Sequence, residues 1–544
     1  MTTRLLIQGA LPRSAVGVAA PQRLEIGAFV RNIRQFSLYI QALQALYGRD
    51  RNNAGSHWQI GGIHGQPDVA WDGTPSGGRN GYCAHGSEIF PTWHRPYVVL
   101  FEQEVQRLAR QIAATYTYDR PLWEAAAASL RQPYWGWDNQ ATVIPPNQVI
   151  SSTTVQIMRP DRRELVSVPN PFLVYTYPQS ANAAFIAPFN RWPRTVRHPD
   201  ANWNSQPSRL VSALRAEAQQ IVNNTQRLYS IQNWREFTLG SGGTTGLEGI
   251  HNTIHTRTGG GGNMATVETA AFDPIFYLHH AQIDRIIDLW VRRHRVGTQN
   301  AANLLPFRRT QTTYWQSRDI AFNTSIFNYS YNGPMNRMDS EESNLLEGAE
   351  VSVSEPNKIH MADNEFNDMN EPMPEASSVV ANSVTPEWSV RVQCKQFEVG
   401  GSFSVYIFLS NEVPASPDEW LFHPDFAGTF DVFANSHPEQ CANCTAQADE
   451  LIKGFVHIND IFLAKSGQTS LEPGTVVPYL KEHISWGVTK VNGDVVDLGN
   501  FPSLEVTVLC MPLDLPAGAE YPIEGEPTIY PDVTCGRVGG DHSD

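Results

Sequence analysis

Cysteine is scarce, with six residues (Cys83, Cys394, Cys441, Cys444, Cys510 and Cys535) in a chain of 544. So thin a set excludes a disulfide-built scaffold and fits a reducing compartment, which makes a cytoplasmic location the expectation. Long apolar runs are missing too. No stretch approaches the roughly 18 apolar residues needed to cross a bilayer. The opening MTTRLLIQGALPRSAVGVAAPQRL lacks the apolar core of a signal peptide. Positive charge is in deficit, Lys+Arg 40 against Asp+Glu 55, a net charge of −15. That balance argues against nucleic acid or an anionic membrane as partner. What the chain does have is 41% hydrophobic residues, 37 prolines and 40 glycines, the composition of a loop-rich globular protein. Its length allows two or more domains.

Apolar spacing predicts a helix over 30–48, a second following His94, a third over 208–230 and a fourth carrying GIHNTIHT at 249–256. A fifth is predicted from Asp273 to about His294, with Asp273 as cap and Pro274 at the first helical position. Long loops rich in proline, glycine and asparagine (50–92 and 131–205) separate them. Loops of that length usually carry function. Residues 336–387 turn polar and acidic, the composition of an exposed, cleavable linker. From Trp388 the period becomes two, in WSVRVQCKQFEV, SFSVYIFLSN, GTFDVFA and SLEVTVLCM. The expected organisation is a mainly α unit at 1–335 with a helix-bundle core, the linker, and a β-sandwich-like unit at 388–544.

Seven of the 16 histidines fall in five short segments of the helical unit: GGIHG (His64), YCAHG (His85), TWHRPY (His94), GIHNTIH (His251, His255) and DPIFYLHH (His279, His280). One histidine is usually a hydrogen-bonded structural residue. Together they form two groups of three, His64, His85 and His94, then His251, His255 and one of His279/His280. On a helix His251 and His255 share a face, and Glu248 joins it. All-imidazole triads favour copper, zinc, nickel or iron over oxygen-seeking cations. Three neutral imidazoles per ion suit a copper that cycles between two oxidation states. His57 falls outside the pattern and reads as structural or surface.

The segments QIGGIHG, CAHG, PTWHRPY, LEGIHNTIH and DPIFYLHHAQIDR resemble the two copper-binding regions of type 3 copper proteins, closest to fungal tyrosinases (polyphenol oxidases). The likeness covers roughly 30–335, with scattered similarity beyond. It implies a dinuclear copper site using O2 as co-substrate, one copper on His64, His85 and His94 and the other on His251, His255 and His280. His280 is chosen over His279 by its place four residues after Phe276 and four before Asp284. It also implies a thioether joining Cys83 to His85, Glu248 and Asn252 holding a water that takes a phenolic proton, and Val267 and Phe276 bordering the substrate.

The implied activity is ortho-hydroxylation of monophenols and oxidation of o-diphenols, such as tyrosine, L-DOPA and catechols, to o-quinones on the way to melanin-type pigment. A catechol oxidase without monophenolase activity and a hemocyanin-like oxygen carrier stand as alternatives. By the same resemblance the C-terminal unit covers the site until a protease cuts the linker, with Phe430 or Phe433 in GTFDVFANSHPEQCANC as the plug. Cys441 and Cys444 form a C-x-x-C that the resemblance links to copper delivery and that is also compatible with a disulfide or a turn. Subunit arrangement is left open.

Overall fold

Five helices frame the N-terminal unit: α1 (Ile33–Tyr47), α2 (Phe90–Ala113), α3 (Pro207–Leu228), α4 (Leu247–Gly259) and α5 (Ile275–His294). They lie where the apolar spacing puts them, with two shifted starts. α2 begins ahead of His94, because Pro91 fits its first turn, where a missing N–H leaves no bond unmade. His94 is thus on the helix. α5 begins at Ile275 with Pro274 at the cap position. Asp273 still accepts from the Ile275 N–H (3.2 Å), while Arg197 grips the same carboxylate at 2.6 Å.

The computed structural model describes residues 3–15, 17–75, 81–240, 242–332, 384–440, 442–514 and 523–543. The expected linker falls outside the described residues except for 384–387, and Cys441 falls outside them as well. No described helix is long and apolar enough to cross a membrane.

α2 packs between α1 and α5, and α4 lies along α3. A buried charge cluster closes the bundle. Asp284 of α5 accepts from Arg23 (2.9 Å), Tyr329 (2.6 Å) and Tyr331 (2.9 Å), and Arg23 also donates to Glu102 of α2 (2.8 Å). Those contacts pin both ends of the unit to the two helices that carry His94 and His280. The loop region 131–205 contains a hairpin of β1 (Thr154–Arg159) and β2 (Arg162–Pro169), which the sequence reading leaves out. A second small pair is β3 (Asn303–Arg308) with β4 (Tyr314–Gln316).

The C-terminal unit is two facing antiparallel sheets. Its strands are β5 (Val384–Lys395), β6 (Phe403–Phe408), β7 (Phe426–Val432), β8 (Leu451–His457), β9 (Ser485–Lys490), β10 (Val495–Val496), β11 (Glu505–Asp514), β12 (Ile523–Glu524) and β13 (Thr528–Tyr530). One sheet runs β10-β9-β6-β7 and the other β12-β11-β5-β8, with β13 also on β11. β5, β6, β7 and β11 match the period-two segments. Two helices, α6 (Asn459–Ser466) and α7 (Pro473–His483), are additions that the pattern does not announce.

Side chains on β7 alternate between two environments, as a strand requires. Phe430 and Val432 enter the sandwich core with Trp388, Val390, Val405 and Val488. Phe430 lies over Gly454, where any Cβ would stand 2.4 Å from its ring. The other face, Thr429, Asp431 and then Phe433, points at the helical unit. Thr429 donates to Glu217 of α3 (2.7 Å), and Arg257 of α4 pairs with Asp431 (2.6 Å). Phe433 is fully buried in the N-terminal core, the one residue from beyond position 332 to join it among those described. The two units otherwise have separate cores, the mark of parts able to fold by themselves.

Candidate metal centre

The helices bring the six predicted histidines into one chamber. α4 sets His251 and His255 a turn apart, ring edge to ring face with centroids 4.4 Å from each other, and ends at Gly260 in a left-handed conformation (φ +50°) suited to glycine. α2 supplies His94 and α5 supplies His280, whose rings stack at 4.3 Å and join the two groups. His64 follows the short helix His57–Gly62, and His85 sits in the loop before α2. His64, Cys83, His85 and His94 bring ligand atoms within 4.8 Å of one another, and so do His251, His255, His279 and His280.

Three backbone carbonyls set the orientation of these rings. Phe90 O accepts from His94 Nδ1 (2.9 Å), Val267 O from His64 Nδ1 (2.8 Å) and Met264 O from His255 Nδ1 (2.7 Å). Each bond fixes a neutral tautomer with Nε2 turned inward, as metal-binding imidazoles require. His251 Nδ1 is held by Asn252 Oδ1 at 3.0 Å. Burial holds all six imidazoles below their usual range, His64 at about 4, so none carries a positive charge at neutral pH. The Nε2 atoms of His64 and His251 are buried with no hydrogen-bond partner. Leaving such atoms unpaired is costly unless something else binds them. Inward-facing, neutral, unpartnered imidazoles therefore fit a pair of soft-to-intermediate metal ions.

His279 and His280 separate by neighbours. His280 touches His94 and His64 across the chamber, and its Nε2 lies 3.3 Å from that of His255. His279 packs beside His251 and His255 with its Nδ1 already engaged by the Trp137 indole N–H (3.1 Å), while its Nε2 is buried without a partner. Cys83 Sγ lies 3.3 Å from His85 Nδ1 and 3.6 Å from Nε2, near-equal reaches to the two nitrogens that flank Cε1. His57 is fully buried, bonded to Phe272 O (3.0 Å) and set against Tyr47 and Tyr175, so it is structural and not on the surface.

The proposed proton-handling residues line one cleft of about 410 Å³ between α4 and β8. Glu248 Oε1 accepts from the Gly86 N–H (2.7 Å), and Oε2 is buried without a partner. Burial pushes this carboxyl up to about 8. Phe276 packs beneath the histidines, 4.2 Å from His280 and 5.0 Å from His64. Of the two plug candidates, Phe433 enters the chamber: its ring stacks on His255 at 4.1 Å and 14° and meets His85 edge-on at 5.5 Å. Phe430 stays in the sandwich. Sequence reasoning missed Glu268, a buried carboxylate directly after Val267 whose Oε1 accepts from the Ser436 N–H (2.7 Å). A single charged residue in the otherwise uncharged run ATVETAAF was its only signal.

A helical bundle with two facing histidine groups defines a protein built to carry a pair of metal ions on imidazole alone. The signature of the common central domain of tyrosinase matches residues 54–293, and that of the tyrosinase C-terminal domain matches 387–508. Polyphenol oxidase 4 of Agaricus bisporus is 31% identical, over 92% of this chain and 86% of that protein. The tyrosinase of Neurospora crassa is 26% identical over 98% of each chain. A crystal structure of latent and active mushroom tyrosinase superposes with a TM-score of 0.77 at 27% identity, over 97% of this chain and 99% of that one. The chain belongs to the tyrosinase (polyphenol oxidase) family of copper-dependent oxidoreductases.

Proposed function

We propose that this protein is a latent tyrosinase. It hydroxylates monophenols at the ortho position and oxidises o-diphenols to o-quinones with O2, once a protease has cut between Gly333 and Glu387 and the β unit has left. Tyrosine, L-DOPA and catechols are its substrate class, and melanin-type pigment is the end product in this reading. The observation that carries it is Phe433. An aromatic ring stacked on His255 fills the space a phenol ring would need. An oxygen carrier needs no slot of that shape.

Two copper ions, when bound, supply O2 activation, a sink for the two electrons of a diphenol and positive charge that keeps Glu248 ionised. His64, His85 and His94 would hold one, and His251, His255 and His280 the other. Glu248 Oε2 takes the phenolic proton, directly or through one water, while Asn252 fixes the His251 ring beside it. Val267 and Phe276 wall the slot for the ring. A thioether from Cys83 would lock His85, a candidate ligand carried by an irregular loop.

The test is oxidation of tyrosine and of L-DOPA before and after limited proteolysis, with the cut located by mass. Colour from L-DOPA alone would make the chain a catechol oxidase. Reversible O2 uptake without colour would make it a hemocyanin-like carrier. In the cut enzyme, Glu248→Gln should lower monophenol hydroxylation about a hundredfold or more, the usual contribution of a positioned base, and diphenol oxidation far less. Equal losses on both substrates would reduce Glu248 to a structural residue.

A further inference from the structure

Glu268 has a backbone that is locked and a carboxylate that is covered. Its carbonyl accepts from the Gln66 N–H (3.0 Å), and Gly65 packs so closely that a Cβ there would stand 2.5 Å from the Glu268 Cα. The preceding carbonyl, Val267 O, holds His64 (2.8 Å). The residue is therefore fixed to the wall of the chamber. Its side chain instead meets the β unit: Oε1 accepts from Ser436, three residues after Phe433, and Oε2 is buried with no partner. The histidine that acts electrostatically on this carboxylate, His437, belongs to the β unit and leaves with it. Half-satisfied buried carboxylates are costly, so one that persists here points to a role in the uncovered state.

We infer that Glu268, once the β unit departs, is a specificity-determining residue at the mouth of the site that favours phenols carrying an ammonium group over neutral or acidic ones. The plug itself marks the path. Phe433 occupies the ring slot, and the chain leading out from it reaches Glu268 by Ser436. A substrate side chain leaving the same slot passes the same carboxylate, now in water and ionised as an ordinary glutamate is. This inference rests on the tyrosinase reading for the ring slot, and it adds the charge of the substrate's tail.

Binding decides it apart from turnover. The copper-loaded chain ended at Asn332, with Glu268 or with Glu268→Gln, is titrated calorimetrically with 2-phenylethylammonium and with 2-phenylethanol. Neither probe carries a ring hydroxyl, so neither can be hydroxylated or oxidised as a phenol. The preference for the cation over the alcohol should fall about three- to tenfold in the glutamine form, the scale of one charge pair in a wet cleft. Added salt should erase the preference in the parent only. An unchanged preference would overturn the inference and leave Glu268 as a mere anchor for the plug loop, as would failure of the parent to bind either ring. L-DOPA oxidation by the same samples reports separately on the enzymatic reading.

Discussion

Phe433→Ala in the intact chain should raise L-DOPA oxidation about tenfold or more with no cut in the backbone. Burying a phenylalanine side chain contributes about 1.5–3 kcal/mol, and each 1.4 kcal/mol is a factor of ten in population. Emptying the slot next to His255 removes that contribution from the closed state and clears the room a substrate ring needs. The polar contacts of the same strand, Thr429 with Glu217 and Asp431 with Arg257, remain, so the β unit should stay docked more loosely and not detach outright. Phe430→Ala is the informative comparison. It opens a cavity inside the sandwich, so its main reading should be a lower melting temperature of the β unit. If intact Phe433→Ala is as silent as the parent while Phe430→Ala is active, the assignment of the plug is wrong.

The second large effect separates adjacent histidines. In His280→Ala the metal content should fall from about two ions per chain to about one, and phenol oxidation should drop to background. In His279→Ala the content should stay near two at saturating metal, with affinity reduced by at most about 10–100-fold, the range seen when a residue supporting a ligand is lost. The reasoning is positional. His280 bridges to His94 and points Nε2 at His255, whereas His279 makes no ring contact with the first histidine group and has its Nδ1 occupied by a hydrogen bond from Trp137. Metal analysis with paired activity assays reads both. The reverse pattern would move the second ion onto His279.

Most of the chamber was legible because its residues obey short-range rules. A helix sets i, i+4 contacts by itself, so His251 and His255 needed no tertiary information. The β unit was legible only where apolar alternation ran long enough. β8 (LIKGFVH) and β9 (SWGVTK) carry Gly454 and Gly487 inside the strand, which interrupts the apolar alternation; α6 is short, and α7 has Pro478 inside it. The hairpin β1–β2 was missed for a similar reason: β2 (RRELVSVP) is largely exposed, so no buried face writes an alternation into it.

The choice between Phe430 and Phe433 turned on parity. The two are three residues apart and must face opposite sides of a strand, but sequence alone does not say which side is the core. A clue was present: Thr429 and Asp431 share parity with Phe433, which makes it an aromatic on a polar face. Glu268 had no such clue, since its partner Ser436 is 168 positions away.

Glu387 opens a different view of activation. The last residue of the expected cleavage region, it is bonded to Arg227 of α3 (2.7 Å), and Asn459 donates to its second oxygen (3.0 Å). A cut between 333 and 383 breaks none of this. Before the cut, the tether presents the β unit to its dock at an effective concentration in the millimolar range; afterwards the same contact obeys the bulk concentration. Proteolysis then converts an intramolecular docking equilibrium into a dissociation equilibrium. Specific activity of the cut protein should climb as the sample is diluted and sink again when purified β unit is added back. The degree of activation becomes a property of how much protein is present, not only of how much has been cleaved.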